Sequence, residues 1–271
     1  MNAKKSLGQH FLKSEKALRT IVQTGKIEKN DIILEIGPGT GIMTAELLNT
    51  GAKVVAIEKD DNLHEFLKKK FGQEIVSGQL TLIHDDILKF DLSKLAAKSY
   101  KLIANIPYNI TGAILKKFLE TDYQPERMVL LVQKEVAERI TGRPLGSSTS
   151  KWEKESILSI SVKAYSTPKY IETVKAGSFA PMPKVDSAII AIENISKKFF
   201  TDFSEKNFFT ILRAGFKSKR KKLSSNLSTI FDKDKVQTVF QQLNLDDNLR
   251  AEDVGIEIWR RLAAHLRQCL L

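Results

Sequence analysis

Two short stretches of this sequence carry residue types that could do chemistry together. In Glu35-Ile36-Gly37-Pro38-Gly39-Thr40-Gly41, three glycines fall within five residues. Such spacing suits a turn where backbone must come close to a ligand, because a Cβ there would stand in the way. The dinucleotide fingerprint G-x-G-x-x-G needs glycine at position 42, and that residue is Ile42. A Walker loop needs Gly-Lys-Ser/Thr after four spacers, and no such lysine exists. Glu58 stands 21 residues after Gly37, where a carboxylate can bind the two ribose hydroxyls of a nucleoside. A nicotinamide cofactor would use that carboxylate too, so it predicts a nucleoside and leaves its chemistry open. Asp86, after the next apolar run, is placed to accept from an adenine amino group.

The second stretch is Asn105-Ile106-Pro107-Tyr108. The N6 amine of adenine is a poor nucleophile because its lone pair is delocalised into the ring. Two acceptors aimed at its hydrogens would favour the pyramidal, localised form, which is transition-state stabilisation by preorganised dipoles. The Asn105 side-chain carbonyl and the Ile106 backbone carbonyl can be that pair. Pro107 would hold the backbone fixed, and Tyr108 offers a face for a flipped-out base, worth about 1–3 kcal/mol.

These residues need a scaffold that gathers them. Strand-like apolar runs occur at Ile32–Ile36, Val54–Ile57, Leu80–Ile83, Leu102–Asn105 and Met128–Val132. Helical spacing occupies Ile42–Asn49, Asp61–Phe71 and Thr111–Glu120 between them. The alternation predicts an α/β fold, a mostly parallel sheet with helices on both faces. Both candidate stretches then lie at carboxyl ends of strands, where such sheets bind ligands. Leu158–Val162, Ile171–Val174 and Ala188–Ile192 are expected to finish the sheet. A polar Ser/Gly/Thr-rich stretch, Gly142–Lys154, reads as an exposed loop. After Asn194 the pattern becomes helical: Ser204–Phe216, Ser218–Ile230, Asp232–Leu243 and Glu252–Leu266, with Ser204, Ser218 and Asp232 as N-caps. We therefore expect a catalytic domain over 1–196 and a small all-α domain over 197–271. No internal repeat is evident.

The 271 residues carry 43 Lys plus Arg against 32 Asp plus Glu, a net charge of +11 that points to a polyanionic partner. The 42% hydrophobic content suits a packed core. Cys269 is the single cysteine, so no internal disulfide or thiolate metal cluster is expected. His64, His84 and His265 lack metal-ligand spacing and no metal is assigned. Lysines near the N-terminus have no apolar segment behind them, and the longest apolar run, near Met128–Val132, is far short of the ~20 residues of a membrane span. A cytoplasmic protein is expected.

G-x-G-x-G after an acidic residue is similar to the loop of class I methyltransferases, whose sheet is Rossmann-like. Along nearly its whole length the chain resembles the ribosomal RNA small-subunit adenine dimethyltransferase family. The resemblance is carried by Ser6-Leu7-Gly8-Gln9-His10-Phe11-Leu12, Glu35 to Gly41, Asn105 to Thr111, Val132 to Arg139, and Phe179-Ala180-Pro181-Met182-Pro183-Lys184-Val185-Asp186-Ser187. It implies S-adenosylmethionine as cofactor, with His10, Leu12, Gly37, Gly39, Glu58, Asp86 and Asn105 around it. It further implies that Phe179 stacks on the target adenine opposite Tyr108. The implied activity is N6,N6-dimethylation of two adjacent adenines in the 3′-terminal hairpin of 16S rRNA. The implied partner is an immature 30S subunit, met by a monomer, with no membrane or DNA involved. In one departure, Glu155-Ser156-Ile157-Leu158-Ser159-Ile160 stands where members carry Tyr-Gly-x-Leu-Ser-Val.

Arg213, Lys217, Lys219, Arg220, Lys221 and Lys222 form a run of six cations, with no acid from Asn207 through Ile230. The run matches the family's basic helix start and is read as contacting RNA phosphates. Three alternatives compete. A macrolide-resistance methyltransferase of large-subunit rRNA shares Asn-Ile-Pro-Tyr-Asn-Ile, but Pro38, Gln133 to Val136 and Asp186-Ser187 look more like the small-subunit enzymes. A non-catalytic assembly or transcription factor is disfavoured by intact Gly37, Glu58 and Asn105. A nicotinamide oxidoreductase is disfavoured by Ile42 and the tetrad.

Overall fold

The computed structural model describes residues 9–95, 99–142 and 154–266. Ser6 to Gly8, most of the polar loop and Cys269 lie outside the described residues. The chain divides into two compact units, one of residues 1–138 and 167–195, the other of 139–166 and 196–271.

In the first unit the elements run β1 (Phe11–Leu12), α1 (Glu15–Gly25), β2 (Ile32–Ile36), α2 (Ile42–Asn49), β3 (Lys53–Glu58), α3 (Asp61–Lys70), α4 (Gly72–Val76) and β4 (Leu80–His84). They continue with β5 (Lys101–Asn105), α5 (Thr111–Glu120), β6 (Arg127–Gln133) and α6 (Lys134–Thr141), which crosses the division. After α7 (Ile157–Tyr165), which belongs to the second unit, come β7 (Thr167–Val174), β8 (Phe179–Ala180) and β9 (Ser187–Glu193). The strand order is β4-β3-β2-β5-β6-β9-β7. Pairs from β4 through β6 are parallel, while β9 is antiparallel to both β6 and β7. The central strands read as unbroken apolar runs because both faces are covered. Met128 to Val132 are all 0% exposed, odd and even positions alike.

Chain direction across the sheet reverses between β2 and β5: β2 leads to β3 on one side and β5 to β6 on the other. In parallel register Ile36 lies beside Ala104, so the glycine loop and the Asn105 tetrad leave the sheet side by side. This switch point opens a crevice at the carboxyl ends of the strands. Beside it, β1 and β8 form a two-stranded ribbon pairing Leu12 with Phe179 and Phe11 with Ala180.

The second unit contains α7, α8 (Glu205–Gly215), α9 (Leu223–Leu227), α10 (Lys233–Gln242) and α11 (Ile256–His265). Ser204 and Asp232 act as N-caps, accepting from the Asn207 N–H at 3.1 Å and the Asp234 N–H at 3.0 Å. Trp259, Phe208 and Leu227, each 0% exposed, sit in its core.

Four expectations require correction. Leu158–Val162 is part of helix α7 and not a strand. The departure from the family pattern starts it: Ser156 and Ser159 cap each other reciprocally, side chain to backbone, at 3.1 and 2.7 Å. Residues 139–166 accordingly join the helical unit instead of the catalytic one. Ser218–Ile230 is not one helix, because only Leu223–Leu227 is helical and Ser218 caps nothing there. Instead the buried Asn226 amide donates to the carbonyls of Gly215 (2.7 Å) and Ser218 (3.0 Å), pinning the intervening chain as a turn. Glu252 falls in a short 3-10 turn before α11 begins.

Candidate active site

The switch point holds a cavity of about 250 Å³. Its floor is the glycine loop. Gly37 has φ +65° and its N–H donates to the Ile57 carbonyl at 2.9 Å, tying the loop to the end of β3. A Cβ on Gly37 would meet nothing within 4 Å, so the space above it is open to a ligand. Gly41 is glycine for another reason: at φ +75° its Cβ would stand 2.5 Å from the Phe71 ring. Lys70 holds the same loop through the Thr40 carbonyl at 2.9 Å.

Glu58 closes one side. Its carboxylate, 5% exposed, accepts from the Asp60 N–H at 2.9 Å and from the Gly39 N–H at 3.2 Å. Burial raises its pKa, and these backbone donors pull it partly back. The sequence reading assigned Glu58 to a ligand only; the bond to Gly39 shows that it also shapes the loop. Asp86 lies at the far rim. Its carboxylate is held by Lys59 at 2.9 Å and by the Leu88 N–H at 3.0 Å, and the Lys59 hydrogen bond keeps its pKa low. Lys59 was not anticipated, since a lysine next to an acidic strand end carries no distinguishing signal. Ile42 and Leu88, each 38% exposed, add apolar wall beside Asp86 and the loop.

On the opposite side Asn105 is half-buried at the end of β5. Its amide nitrogen donates to the His10 backbone carbonyl at 3.0 Å. That acceptor fixes which end of the amide is nitrogen and turns the side-chain oxygen away from the ribbon. The Ile106 N–H is engaged by the Leu131 carbonyl at 3.2 Å, which anchors the backbone carrying the tetrad. Pro107 leads into a 3-10 turn over Tyr108–Ile110. The Tyr108 hydroxyl meets Ser187 Oγ at 2.7 Å, and partial burial raises its pKa. The His10 ring stacks on Tyr108, with centroids 5.7 Å apart and planes 24° from parallel, while its Nδ1–H donates to the Pro181 carbonyl at 2.8 Å.

All residues expected to touch cofactor or base line this cavity except Phe179. Phe179 is 3% exposed and packs in the core with Leu12, Leu18 and Ile189. It pairs with Leu12 across the β1–β8 ribbon. Glu35 is a wall residue that the sequence reading left without a role. Among the described residues no group of three or more His, Cys, Asp or Glu could hold a metal ion, and no helix is long and apolar enough to cross a membrane.

Residues 1–268 match the model of a family described as ribosomal RNA adenine dimethylase. The chain belongs to that family. A curated relative from Dehalococcoides mccartyi, named ribosomal RNA small subunit methyltransferase A, is 37% identical over 266 residues, covering 97% of this chain and 88% of its own. A dimethyladenosine transferase structure from Plasmodium falciparum is 28% identical, covers 93% of this chain and 96% of its own, and superposes with a TM-score of 0.76. The structure of the 23S rRNA methyltransferase ErmE, at 23% identity, 95% and 100% coverage and TM-score 0.73, is similar in fold alone. This rRNA adenine dimethylase is thus a class I methyltransferase that uses S-adenosylmethionine. The cavity fits that cofactor: open space over Gly37, carboxylates at Glu58 and Asp86, and apolar wall from Ile42 and Leu88.

Proposed function

We propose that the chain dimethylates N6 of two adjacent adenines in the 3′-terminal hairpin of small-subunit rRNA, during assembly of the 30S subunit. The observation that carries the chemistry is the Asn105 amide, anchored through its nitrogen on His10 beside the glycine loop. When bound, S-adenosylmethionine supplies a methyl group made electrophilic by its sulfonium sulfur. Glu58 would hold the ribose, Asp86 the adenine amino group, and the Gly37–Gly39 turn the methionine end, with His10 and Leu12 closing from the ribbon. Toward the target base, the Asn105 and Ile106 carbonyls accept its two N6 hydrogens and localise the lone pair. Pro107 keeps that pair in place. Tyr108 supplies the stacking face, so His10, which now covers it, must turn aside as the base enters.

The six cations from Arg213 to Lys222 bear on RNA affinity. Each is exposed, and none has an ion-pair partner among the described residues. Contrary to the expected helix start, Lys217 to Lys222 sit on the turn between α8 and α9. A cytoplasmic monomer acting on rRNA, without DNA or membrane, completes the proposal. Its test is mass mapping of methylated nucleosides in both rRNAs from cells with and without this protein. Dimethyladenosine lost from the small subunit supports it. Loss from the large subunit instead favours a macrolide-resistance enzyme, and no loss with no cofactor binding favours an assembly factor.

A further inference from the structure

Tyr108 offers a base its face, and for stacking alone a ring without a hydroxyl would serve. Its hydroxyl meets Oγ of Ser187 at 2.7 Å, with either oxygen able to donate. Ser187 opens β9, which lies two places from β5 in the sheet, with β6 between them. The bond therefore ties the tetrad to a strand that does not itself line the cavity. Ser187 is 0% exposed and heads an apolar buried run, Ala188 to Ile192. A hydroxyl in such a place is costly unless it is hydrogen-bonded, whereas an alanine there would carry no such cost. The Tyr108 hydroxyl is the one partner of Ser187 Oγ among the described residues. The strand end that carries Ser187 is firmly held. Ser187 is in register with Gln133 on β6 and Val174 on β7. Beside it, Asp186 accepts the Lys134 N–H on its carbonyl and the Ala176 N–H on its carboxylate, both at 3.0 Å.

We propose that Ser187 is a positioning residue for methyl transfer: through the Tyr108 hydroxyl it fixes the plane on which the target adenine stacks. The proposal rests on the reading of Tyr108 as the stacking face. Pro107 and the 3-10 turn after it hold the main chain, yet the side-chain torsions of the tyrosine need a further restraint. Held at its backbone and at its hydroxyl, the ring keeps its plane when His10 turns aside. The adenine laid on it then presents N6 to the Asn105 and Ile106 carbonyls at one height and tilt. Without the bond the ring still attracts a base, but the base lies in a spread of orientations. The loss then falls on the rate of transfer and spares binding, since a misplacement of about 1 Å can cost on the order of 10² in rate.

The test uses Ser187→Ala, Tyr108→Phe, the double variant and Tyr108→Ala, each as the full chain acting on immature small ribosomal subunits. Single-turnover methylation is measured with protein and S-adenosylmethionine in excess over subunits. Calorimetric stoichiometry with S-adenosylhomocysteine counts folded sites, and filter binding gives affinity for the subunit. Ser187→Ala and Tyr108→Phe should each lower the rate per folded site by about tenfold or more, with both affinities close to normal. The double variant should be no slower than the slower single, because the same bond is lost in all three. A serine that only filled the core would, when replaced, change Tm and the number of folded sites and leave the rate per site alone. That outcome, or losses that multiply in the double variant, overturns the proposal. If Ser187→Ala does not fold, Tyr108→Phe, which removes only the hydroxyl, decides, and a normal rate per site overturns the proposal. A normal rate in Tyr108→Ala overturns the stacking reading and this proposal with it. A slow Tyr108→Ala beside a normal Tyr108→Phe overturns this proposal alone.

Discussion

The Asn105 side-chain amide donates to the main-chain carbonyl of His10 across 95 positions of sequence. The residue that must present an acceptor to the substrate is thus oriented by the β1–β8 ribbon and not by its own strand. The same His10 covers Tyr108, so one residue just before β1 both aligns Asn105 and guards the stacking face.

Asn105→Ala should lower the methylation rate by about 10²–10³, the usual cost of removing one preorganised polar group from a transition state. S-adenosylmethionine affinity should change by no more than a few-fold, because the lost contact is chiefly with the reacting amine. Single-turnover rates with parallel calorimetry check this; a near-normal rate would remove Asn105 from the chemistry.

Glu58→Ala should weaken cofactor binding by about 1.5–3 kcal/mol, the worth of hydrogen bonds to a charged group. Part of that loss would come through Gly39, whose N–H loses its acceptor. Unchanged affinity in calorimetry would take Glu58 out of the site.

Two alanine substitutions in the glycine loop should separate binding from folding. Both positions have positive φ and carry a similar backbone strain of about 1–2 kcal/mol. Gly37→Ala directs its Cβ into open cavity, so the protein should fold and bind cofactor poorly. Gly41→Ala directs it onto Phe71 and Leu67, at 2.5 and 2.8 Å, and should lower Tm further. Normal cofactor affinity in Gly37→Ala would show that the loop does not cradle the ligand.

Neutralising Lys219, Arg220 and Lys221 together should weaken RNA binding and flatten the dependence of log affinity on log salt by up to about one unit per lost phosphate contact. The methylated position should stay the same. Filter binding at several salt concentrations, with the modified base mapped alongside, reads both. An unaltered slope would mean that the turn is only solvated surface.

The sheet was legible because strands covered on both faces, such as Met128–Val132, leave an unmistakable apolar run. The glycine loop and tetrad were legible because their residue types answer to local backbone demands. What escaped depended on distant packing. Five apolar residues at Leu158–Val162 fit strand or helix equally, and the Ser156/Ser159 capping pair that decides for helix was passed over. Phe179, given to base stacking by the family resemblance, packs in the core with Leu12 and Ile189, which its residue type does not show. Ser218 has the type of an N-cap, yet Asn226 claims its carbonyl for a turn. For Glu35, the type shows an acid; only the fold shows an acid with no partner.

The most direct test of the account is reconstitution. Purified protein would be incubated with S-adenosylmethionine and, separately, with immature small and large ribosomal subunits, and nucleosides would be mapped by mass. The account predicts N6,N6-dimethyladenosine at two adjacent positions in the 3′-terminal hairpin of the small-subunit rRNA, formed about 10²–10³ times more slowly by Asn105→Ala. Methylation confined to the large subunit, or dimethyladenosine formed at a near-normal rate by Asn105→Ala, would contradict it.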